Sequence, residues 1–445
     1  MTRAGTFLGD LRTVWWRQDF RRLFTTRLIS QAADGVFQAG LAGVVFFSPE
    51  RAASAQAIAV VLTVAVLPYT VLGPFAGVLL DRWRRRQVLV VANLVRAVIV
   101  AGTAGLVAGG VVGAPLYLAV LAVMSVNRFF LAGIGAALPH VVAEGELVAA
   151  NAVSPTSGAI AAILGAAGAS GLRVLAGPGN ATDALIVATA AFGYVASATA
   201  ATRMAADRLG PVAADRLPWA GVRQAVAGVL GGLVGAARHL TRRHTALAAL
   251  GATVAVRFGY GVATLMTVLM CRNLLTDPAA VDAGFALLSA AFAATGAGFV
   301  GAAVLTAWAT RRVGPQRWIV VNLLALAAGT AVLAIRIGVP TLLVVAAVTG
   351  LATQGGKICV DSLVQADVDD AFRGRVFSLY DVLYNAAFVL AAGAAAVLLP
   401  VTGYSRALLV VLVAWYLVAA AGYARAAARA GSARPASAGS GPASG

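Results

Sequence analysis

Charged side chains occur inside the apolar segments of this 445-residue sequence, and their types limit the chemistry they could do. Burying an ionisable group in such a segment costs about 3 kcal/mol or more, so these groups normally face a cavity or a partner. A carboxylate can take up and release a proton, whereas an arginine stays charged and can only attract an anion. The candidates for binding a ligand or carrying a proton are Asp34, Arg128, Arg257, Lys357 and Asp361. Two secondary candidates, for which structural pairing is the alternative, are Arg96 and Asp381.

The primary candidates also have structural explanations. Lys357 and Asp361 are spaced i, i+4, so they would share a helix face and could neutralise each other as a static pair. Asp34 could simply hydrogen-bond Gln31 or a neighbouring helix. The other interpretation of Asp34 is a proton carrier, because a carboxylate facing a cavity can be loaded and unloaded as access to it changes sides. Both interpretations stay open at the level of sequence.

The composition is that of an integral membrane protein. The sequence is 60% hydrophobic and 11% charged, with a mean hydropathy of +0.87, which is more apolar than a soluble core can hide. A net charge of +17 would suggest nucleic acid as the partner of a soluble protein. Here the arginine clusters recur between apolar runs, so we interpret them as topology determinants, with the lipid bilayer as partner and no nucleic acid.

The sequence carries no motif for a metal, a cofactor or a catalytic centre. Cys271 and Cys359 fall in different predicted helices, which indicates neither a disulfide framework nor a metal site. A Walker-type GxxxxGK[ST] loop is absent, so direct ATP drive is not expected. No HExxH or serine-base signature is present either, which argues against a membrane-embedded enzyme.

The apolar runs predict an all-α membrane protein. A helix needs about 20 apolar residues to cross about 30 Å of hydrocarbon, and the sequence offers about twelve such runs. The predicted spans are 23–47, 56–80, 87–109, 114–139, 147–175, 184–202, 245–270, 283–309, 318–336, 339–364, 375–400 and 406–424.

The longest connection divides the chain into two six-helix halves, residues 1–202 and 245–425, which predicts a duplicated, pseudo-symmetric architecture. The connection, 203–244, is too Gly-rich and too weakly apolar for a further span. We expect it to be a cytoplasmic linker that contains an interfacial helix. The low-complexity tail, 426–445, is expected to be disordered.

The arginines orient the predicted spans in the plasma membrane. A short basic loop, Asp81 to Arg86, separates spans two and three and would meet anionic headgroups at the cytoplasmic face. If this loop is inside, both termini are cytoplasmic and most other arginines also fall on inner segments. The outer loops then hold only Arg51, Arg173, Arg272, Arg336 and Arg406.

The same loop carries a family resemblance. Five residues match the pattern G-x-x-x-D-R-x-G-R-R, with Arg84 in place of the second glycine: Gly77, Asp81, Arg82, Arg85 and Arg86. Further matching segments are DFRRLFTTRLISQAADGVF (19–37), LPHVVAEGELVAANAVS (138–154) and LVQADVDDAFRGRVFSLYD (363–381). The chain resembles a twelve-helix member of the major facilitator superfamily, most closely the bacterial efflux branch that includes macrolide and enterobactin exporters.

The resemblance implies roles for these residues. Spans one, four, seven and ten line the central cavity in this superfamily, and each of them here carries a buried charge. Asp34 lies about 12 residues, or roughly 18 Å, into span one, and Arg257 has a comparable depth in span seven. Asp81 would latch the halves on the cytoplasmic side through the start of span eleven near Gly374. The alternative is that the loop only sets topology.

We therefore hypothesise a secondary active transporter, a proton-coupled exporter or antiporter of multidrug type, that moves amphipathic small molecules by alternating access. An importer or exchanger of a polar or anionic metabolite is the main alternative, because an anionic substrate would explain Arg128, Arg257 and Lys357 together. A non-transporting receptor or scaffold is a third possibility, against which charges on all four cavity helices argue. The resemblance implies a monomer.

Overall fold

The computed structural model describes residues 12, 14–46, 54–76, 80, 83–111, 113–143, 146–205, 208–209 and 222–432. Within these ranges the chain forms thirteen α-helices, two 3₁₀ helices, at Gly73–Phe75 and Leu138–His140, and no strand. The α-helices are α1 (Gln18–Phe46), α2 (Ala55–Val71), α3 (Arg85–Ala108), α4 (Ala114–Ala137), α5 (Leu147–Ala176), α6 (Asn180–Thr202), α7 (Val222–Arg242), α8 (His244–Asn273), α9 (Val281–Val313), α10 (Pro315–Ile335), α11 (Val339–Asp367), α12 (Asp370–Leu398) and α13 (Arg406–Ser432).

Twelve of these helices coincide one by one with the predicted spans. Among the described residues, α2 to α6 and α8 to α13 make up eleven helices that are long and apolar enough to cross a membrane. Helix α1 has 29 residues, which is ample length, but Gln31, Asp34 and Gln38 lower its hydropathy. The all-α membrane fold predicted from the apolar runs is confirmed.

The connection between the predicted halves contains α7. Its apolar and charged residues separate onto opposite faces more strongly than in any other described helix. Val234 is 52% exposed, and Arg238 and Arg242 are exposed near the end of the helix. This pattern is typical of a helix that lies at a membrane surface. Its interfacial position stays a prediction.

The Cα positions group the chain into two compact units. The first unit contains the described residues within Met1–Gly231, Gly261–Ala293 and Asp381–Tyr404, and the second those within Gly232–Tyr260, Ala294–Tyr380 and Ser405–Gly445. These units reflect proximity and not sequence repetition, since α7, α8, α9 and α12 each contribute to both. The predicted division into halves 1–202 and 245–425 therefore stays a prediction.

Glycines bring helix backbones into close contact inside each unit. In the first unit, a Cβ atom at Gly35 of α1 would lie 1.9 Å from the carbonyl oxygen of Ala162 in α5, and one at Gly165 would lie 2.1 Å from that of Ala32. In the second unit, a Cβ atom at Gly350 of α11 would lie 2.0 Å from the carbonyl oxygen of Thr295 in α9. Only residues without a side chain allow this approach.

We predict that Gly165→Ala lowers the free energy of unfolding by about 1–3 kcal/mol, because the added methyl group meets the α1 backbone and α1 and α5 must separate. Gly168→Ala, on the same helix with open space around it, is the matched control and should be neutral or slightly stabilising. Unfolding of the purified variants in mixed micelles measures both. Equal stabilities for the two variants would contradict the close α1–α5 contact.

Candidate functional site

Four helices of the first unit place a layer of buried polar side chains between two apolar clusters. One cluster includes Phe20, Leu89 and Phe130, and the other includes Phe37 and Val100. The polar residues between them are each at most 2% exposed: Ser30 and Asp34 on α1, Asn93 and Arg96 on α3, Asn127 on α4, and Tyr194 and Ser197 on α6. Polar groups buried this completely must find their partners inside the protein.

The carboxylate of Asp34 is the acceptor at the centre of this layer. Its Oδ1 accepts hydrogen bonds from Nη1 of Arg96 at 2.9 Å and from the hydroxyl of Tyr194 at 2.7 Å. Its Oδ2 accepts one from Nε2 of Gln31 at 2.7 Å. The structure thus contains the Gln31 contact expected from the sequence and adds a full ion pair with Arg96.

Arg96 connects the remaining members of the layer. Its Nη1 also donates to Oδ1 of Asn127 at 2.8 Å, and its Nη2 donates to Oγ of Ser30 at 2.6 Å and to Oδ1 of Asn93. The guanidinium carbon lies 4.7 Å from the ring centre of Phe130 and 4.4 Å from that of Tyr194. Aromatic faces on a desolvated cation add to its stabilisation. Arg96 is thus ion-paired with Asp34 in the structure, and its role in transport stays a prediction.

Asn127 and Asn93 extend the layer outward from the ion pair. Asn127 donates through Nδ2 to the hydroxyl of Tyr69 on α2 at 3.0 Å. Asn93 donates through its own Nδ2 to Oγ of Ser197 at 2.9 Å, and Ser197 donates to the backbone oxygen of Thr26 at 2.7 Å. Five helices are joined by one network as a result.

The other predicted charges form separate pairs. Arg128 on α4 and Asp381 on α12 are 3.5 Å apart and partly exposed, and the guanidinium of Arg128 lies 5.8 Å from the ring centre of Tyr69. Lys357 and Asp361 form the predicted intrahelical pair on α11, with 2.6 Å between Nζ and Oδ2. Each of these two side chains keeps about a third of its surface exposed.

Arg257 is the remaining predicted residue, and the described residues contain no cluster that could form a metal site. Arg257 lies in α8, with its guanidinium carbon 5.4 Å from the ring centre of Tyr260. Within the described ranges, no three His, Cys, Asp or Glu side chains lie close enough together to hold a metal ion.

The basic loop is described only in part. Gly77, Asp81 and Arg82 lie outside the described residues, so the latch stays a prediction. Arg85 donates through Nη1 to the backbone oxygen of Ala136 at 3.0 Å, near the end of α4, and Arg86 donates through Nη2 to that of Thr202 at 2.9 Å, at the end of α6. Cations at helix C-termini satisfy terminal carbonyl groups and the helix dipole, so these arginines also join three helix ends.

A second buried ion cluster was not foreseen from the sequence. Arg173, which we assigned to an outer loop, lies in the last turn of α5 and is 2% exposed. Its Nε is 2.7 Å from Oδ1 of Asp183 on α6, and its Nη1 is 3.2 Å from Oδ1 of Asp282 on α9. Phe285 covers the guanidinium at 4.5 Å. The sequence signal that could have indicated this cluster was an acidic residue in the first turn of α6 and another in the first turn of α9.

Two exposed ion pairs occupy corresponding places at helix starts. Arg17 directly precedes α1 and pairs with Glu146 before α5 at 3.1 Å, and Arg243 directly precedes α8 and pairs with Asp369 before α12 at 2.5 Å. The Ala143 amide, together with Arg17, lowers the pKa of Glu146. The hydrogen bond from Arg243 lowers the pKa of Asp369.

We predict that Arg96→Met lowers the free energy of unfolding by about 3–5 kcal/mol, because it leaves the Asp34 carboxylate buried without its cation. Adding Asp34→Asn to that variant should recover part of the loss. The control, Arg17→Met, breaks an ion pair whose arginine is half exposed and should cost about 0–1 kcal/mol. Unfolding in mixed micelles compares all three, and equal losses for Arg96→Met and Arg17→Met would contradict a dominant buried pair.

Comparison with known proteins places this architecture in a family. No family model matches the chain. A protein of Mycobacterium tuberculosis (strain ATCC 25618 / H37Rv), described as an uncharacterized MFS-type transporter, is 40% identical over 395 residues, 88% of each chain, and a Mycobacterium bovis protein of the same description matches equally. Macrolide efflux protein A of Streptococcus pyogenes is 28% identical over 82 residues, 18% of this chain and 20% of its own.

Solved structures show the same fold. The nucleoside transporter NupG superposes with a TM-score of 0.65 at 13% identity, covering 92% of this chain and 99% of its own. The peptide transporter POT in complex with sulfate gives a TM-score of 0.66 at 14% identity, covering 94% and 95%. The mycobacterial relatives are transporters, in agreement with the prediction that this chain is not an enzyme. Fold and sequence together establish that the chain belongs to the major facilitator superfamily of membrane transporters.

Proposed function

We propose that this transporter is a proton-coupled exporter of amphipathic small molecules in the plasma membrane. The observation that carries the coupling is the Asp34–Arg96 pair, in which a buried carboxylate on α1 meets its cation on α3. Protonation would neutralise Asp34 and remove its attraction for Arg96, so the proton load of Asp34 and the packing of α1 on α3 are linked. A ligand or proton shifts a conformational equilibrium only through such a difference in interaction between states.

The other carboxylates fit the coupling role less well. Asp361 pairs with Lys357 of its own helix, so its protonation would not change a contact between helices. The side chain of Asp381 is 51% exposed, and water therefore screens its interaction with Arg128. Asp34 alone among these three is buried and ion-paired to a different helix, and it is for this reason the residue we assign to proton transfer.

The charge balance supports an amphipathic substrate over a purely polar anion. Of the three cations on which the anionic-metabolite alternative rests, Arg128 and Lys357 each lie within 3.5 Å of a carboxylate, whereas Arg257 lies over the ring of Tyr260. Two of these three cations are thus already paired with a carboxylate, which weakens the reason for the importer or exchanger of an anionic metabolite. The match to macrolide efflux protein A supports the export direction.

Orientation and gating are part of the proposal. The arginine distribution supports cytoplasmic termini, with Arg85 and Arg86 at the cytoplasmic ends of α3, α4 and α6. We assign Asp81 to the latch that holds the cytoplasmic side closed, and Arg82 and Gly77 to the same loop. The two six-helix halves would then alternate around the substrate, in a protein that works as a monomer.

We predict that Asp34→Asn reduces substrate-dependent proton movement at least tenfold, because the amide cannot take up the proton. The measurement uses proteoliposomes with an internal pH-sensitive dye and a panel of lipophilic cations, macrolides, siderophores and organic anions. The control is Asp19→Asn, a partly exposed carboxylate on the same helix, which should keep wild-type movement. Wild-type movement in Asp34→Asn would remove Asp34 from the mechanism.

We also predict that Asp81→Asn increases the cytoplasmic accessibility of the transport pathway, because the amide accepts weaker hydrogen bonds from a helix start than the carboxylate does. Thiol labelling of cysteines introduced along α11 reads out accessibility, with Asp277→Asn, an exposed loop carboxylate, as the control. Labelling rates that are identical in wild type and Asp81→Asn would count against the latch and leave topology as the role of the loop.

A further inference from the structure

Arg27 is a half-buried cation on α1 that neither the ion-pair network nor the coupling mechanism uses. It lies nine residues after Gln18, the start of α1, which is about 14 Å along the helix axis. Gln31 and Asp34 follow it at i+4 and i+7, so the three residues share one face of the helix. A cation at this depth needs a partner of opposite charge or an equivalent set of hydrogen bonds.

The contacts of Arg27 are few for its hydrogen-bonding capacity. Its Nη1 donates to Oγ of Ser154 on α5 at 3.2 Å, and its Nε is buried without a hydrogen-bond partner. A Cβ atom at Gly158 of α5 would lie 2.7 Å from that Nε, so a glycine keeps the space in which the guanidinium sits. A guanidinium has five N–H donors, and a neutral hydroxyl group satisfies one of them.

The acidic residues nearest along the fold are engaged by other arginines. Asp34 pairs with Arg96 at 2.9 Å, Asp19 with Arg22 at 3.6 Å and Glu146 with Arg17 at 3.1 Å. In the part of the chain that the structure describes, Arg27 has no carboxylate partner. Its positive charge stays in place at any physiological pH. The inner half of the α1–α5 interface therefore carries one uncompensated positive charge.

An apolar cavity lies farther along α1 and α5 than Arg27 and Ser154, which do not line it themselves. It has a volume of about 310 Å³ and its lining residues are all uncharged, including Gly35 and Gln38 of α1, Ala162 of α5 and Phe292 of α9. Ala162 lies eight residues after Ser154, or about 12 Å along α5. A cation and an apolar cavity separated by this distance match a molecule with a charged head and an apolar tail.

We propose that Arg27 and Ser154 bind the anionic head, a carboxylate or a phosphate group, of an amphipathic molecule whose tail occupies this cavity. If the bound molecule is the transported substrate, the inference rests on the proposed function and adds that the amphipathic substrate has a negatively charged head. The same chemistry is offered by the headgroup of an anionic phospholipid. Arginine binds both through charge-assisted hydrogen bonds.

The test uses the full-length protein in nanodiscs of phosphatidylcholine, with dodecanoate as the anionic probe and dodecanol as the matched uncharged probe. Arg27→Gln should weaken dodecanoate binding at least tenfold and leave dodecanol binding unchanged. Arg21→Gln removes the same charge from an exposed position of α1 and should change dodecanoate binding less than twofold. Partitioning of the probe into the disc is common to all variants, so differences between them report the site.

A second variant keeps the proposal testable if Arg27→Gln does not fold. Gly158→Ala retains every charge but places a methyl group against the guanidinium, and it should weaken dodecanoate binding at least threefold. For Arg27→Gln itself we expect a melting temperature no lower than that of the wild type, because the substitution removes a half-buried charge that has no carboxylate partner among the described residues. A folded Arg27→Gln or Gly158→Ala variant with unchanged dodecanoate binding would overturn the proposal.

Discs of phosphatidylglycerol distinguish the two sources of the anion. If the site takes a lipid headgroup, phosphatidylglycerol should raise the melting temperature of the wild type but not of Arg27→Gln, and should compete with dodecanoate. If it takes a soluble molecule, the lipid change should affect both proteins equally while the dodecanoate difference persists. No difference between the two proteins in either arm overturns the site. Equilibrium binding needs no proton gradient. If the wild-type protein shows no proton-coupled flux but binds dodecanoate through Arg27, only the proposed function is rejected.

Discussion

The arrangement of the first unit depends on one buried ion pair, Asp34 with Arg96. A carboxylate and a guanidinium removed from water are stable only when nearly every lone pair and N–H group is satisfied. Tyr194, Gln31 and Asn127 supply that satisfaction from α6, α1 and α4. Hydrogen-bond geometry therefore fixes the rotation and depth of these helices. In a lipid bilayer, apolar surfaces alone discriminate poorly between alternative helix packings.

Pairing also limits the charge that the predicted pathway residues could offer to a substrate. Three of the predicted cations meet carboxylates, and the pairs differ in burial: Asp34–Arg96 is closed to solvent, whereas Lys357–Asp361 and Arg128–Asp381 remain partly exposed. Partly exposed pairs can exchange partners with a ligand at low cost, since water already screens them. A fully buried pair such as Asp34–Arg96 is costly to separate. It therefore suits an element that responds to protonation but not to solutes in general.

The sequence was sufficient for the fold because hydropathy reports the length of each span directly. The sequence also indicated Asp34 as a charged residue inside a span, because a carboxylate within an apolar run is unusual. The partners of Asp34 were less visible. Asn127 and Tyr194 are neutral and common in spans, and the orientation of Arg96 depends on how α3 is rotated against α1. Arg27 follows closely behind Arg21 and Arg22, so it does not stand out from arginines that set topology.

The exposed pairs at the helix starts bear on the history of the chain. In the first predicted half an arginine directly before the first helix meets an acidic residue directly before the fifth. Arg243, at the end of the predicted linker, and Asp369, in the second predicted half, repeat that order. The basic partner is an arginine in both pairs, and the acidic partner is Glu146 in one and Asp369 in the other. The positions of the partners relative to the helix starts agree. Agreement in position of this kind is what the predicted duplicated architecture would produce.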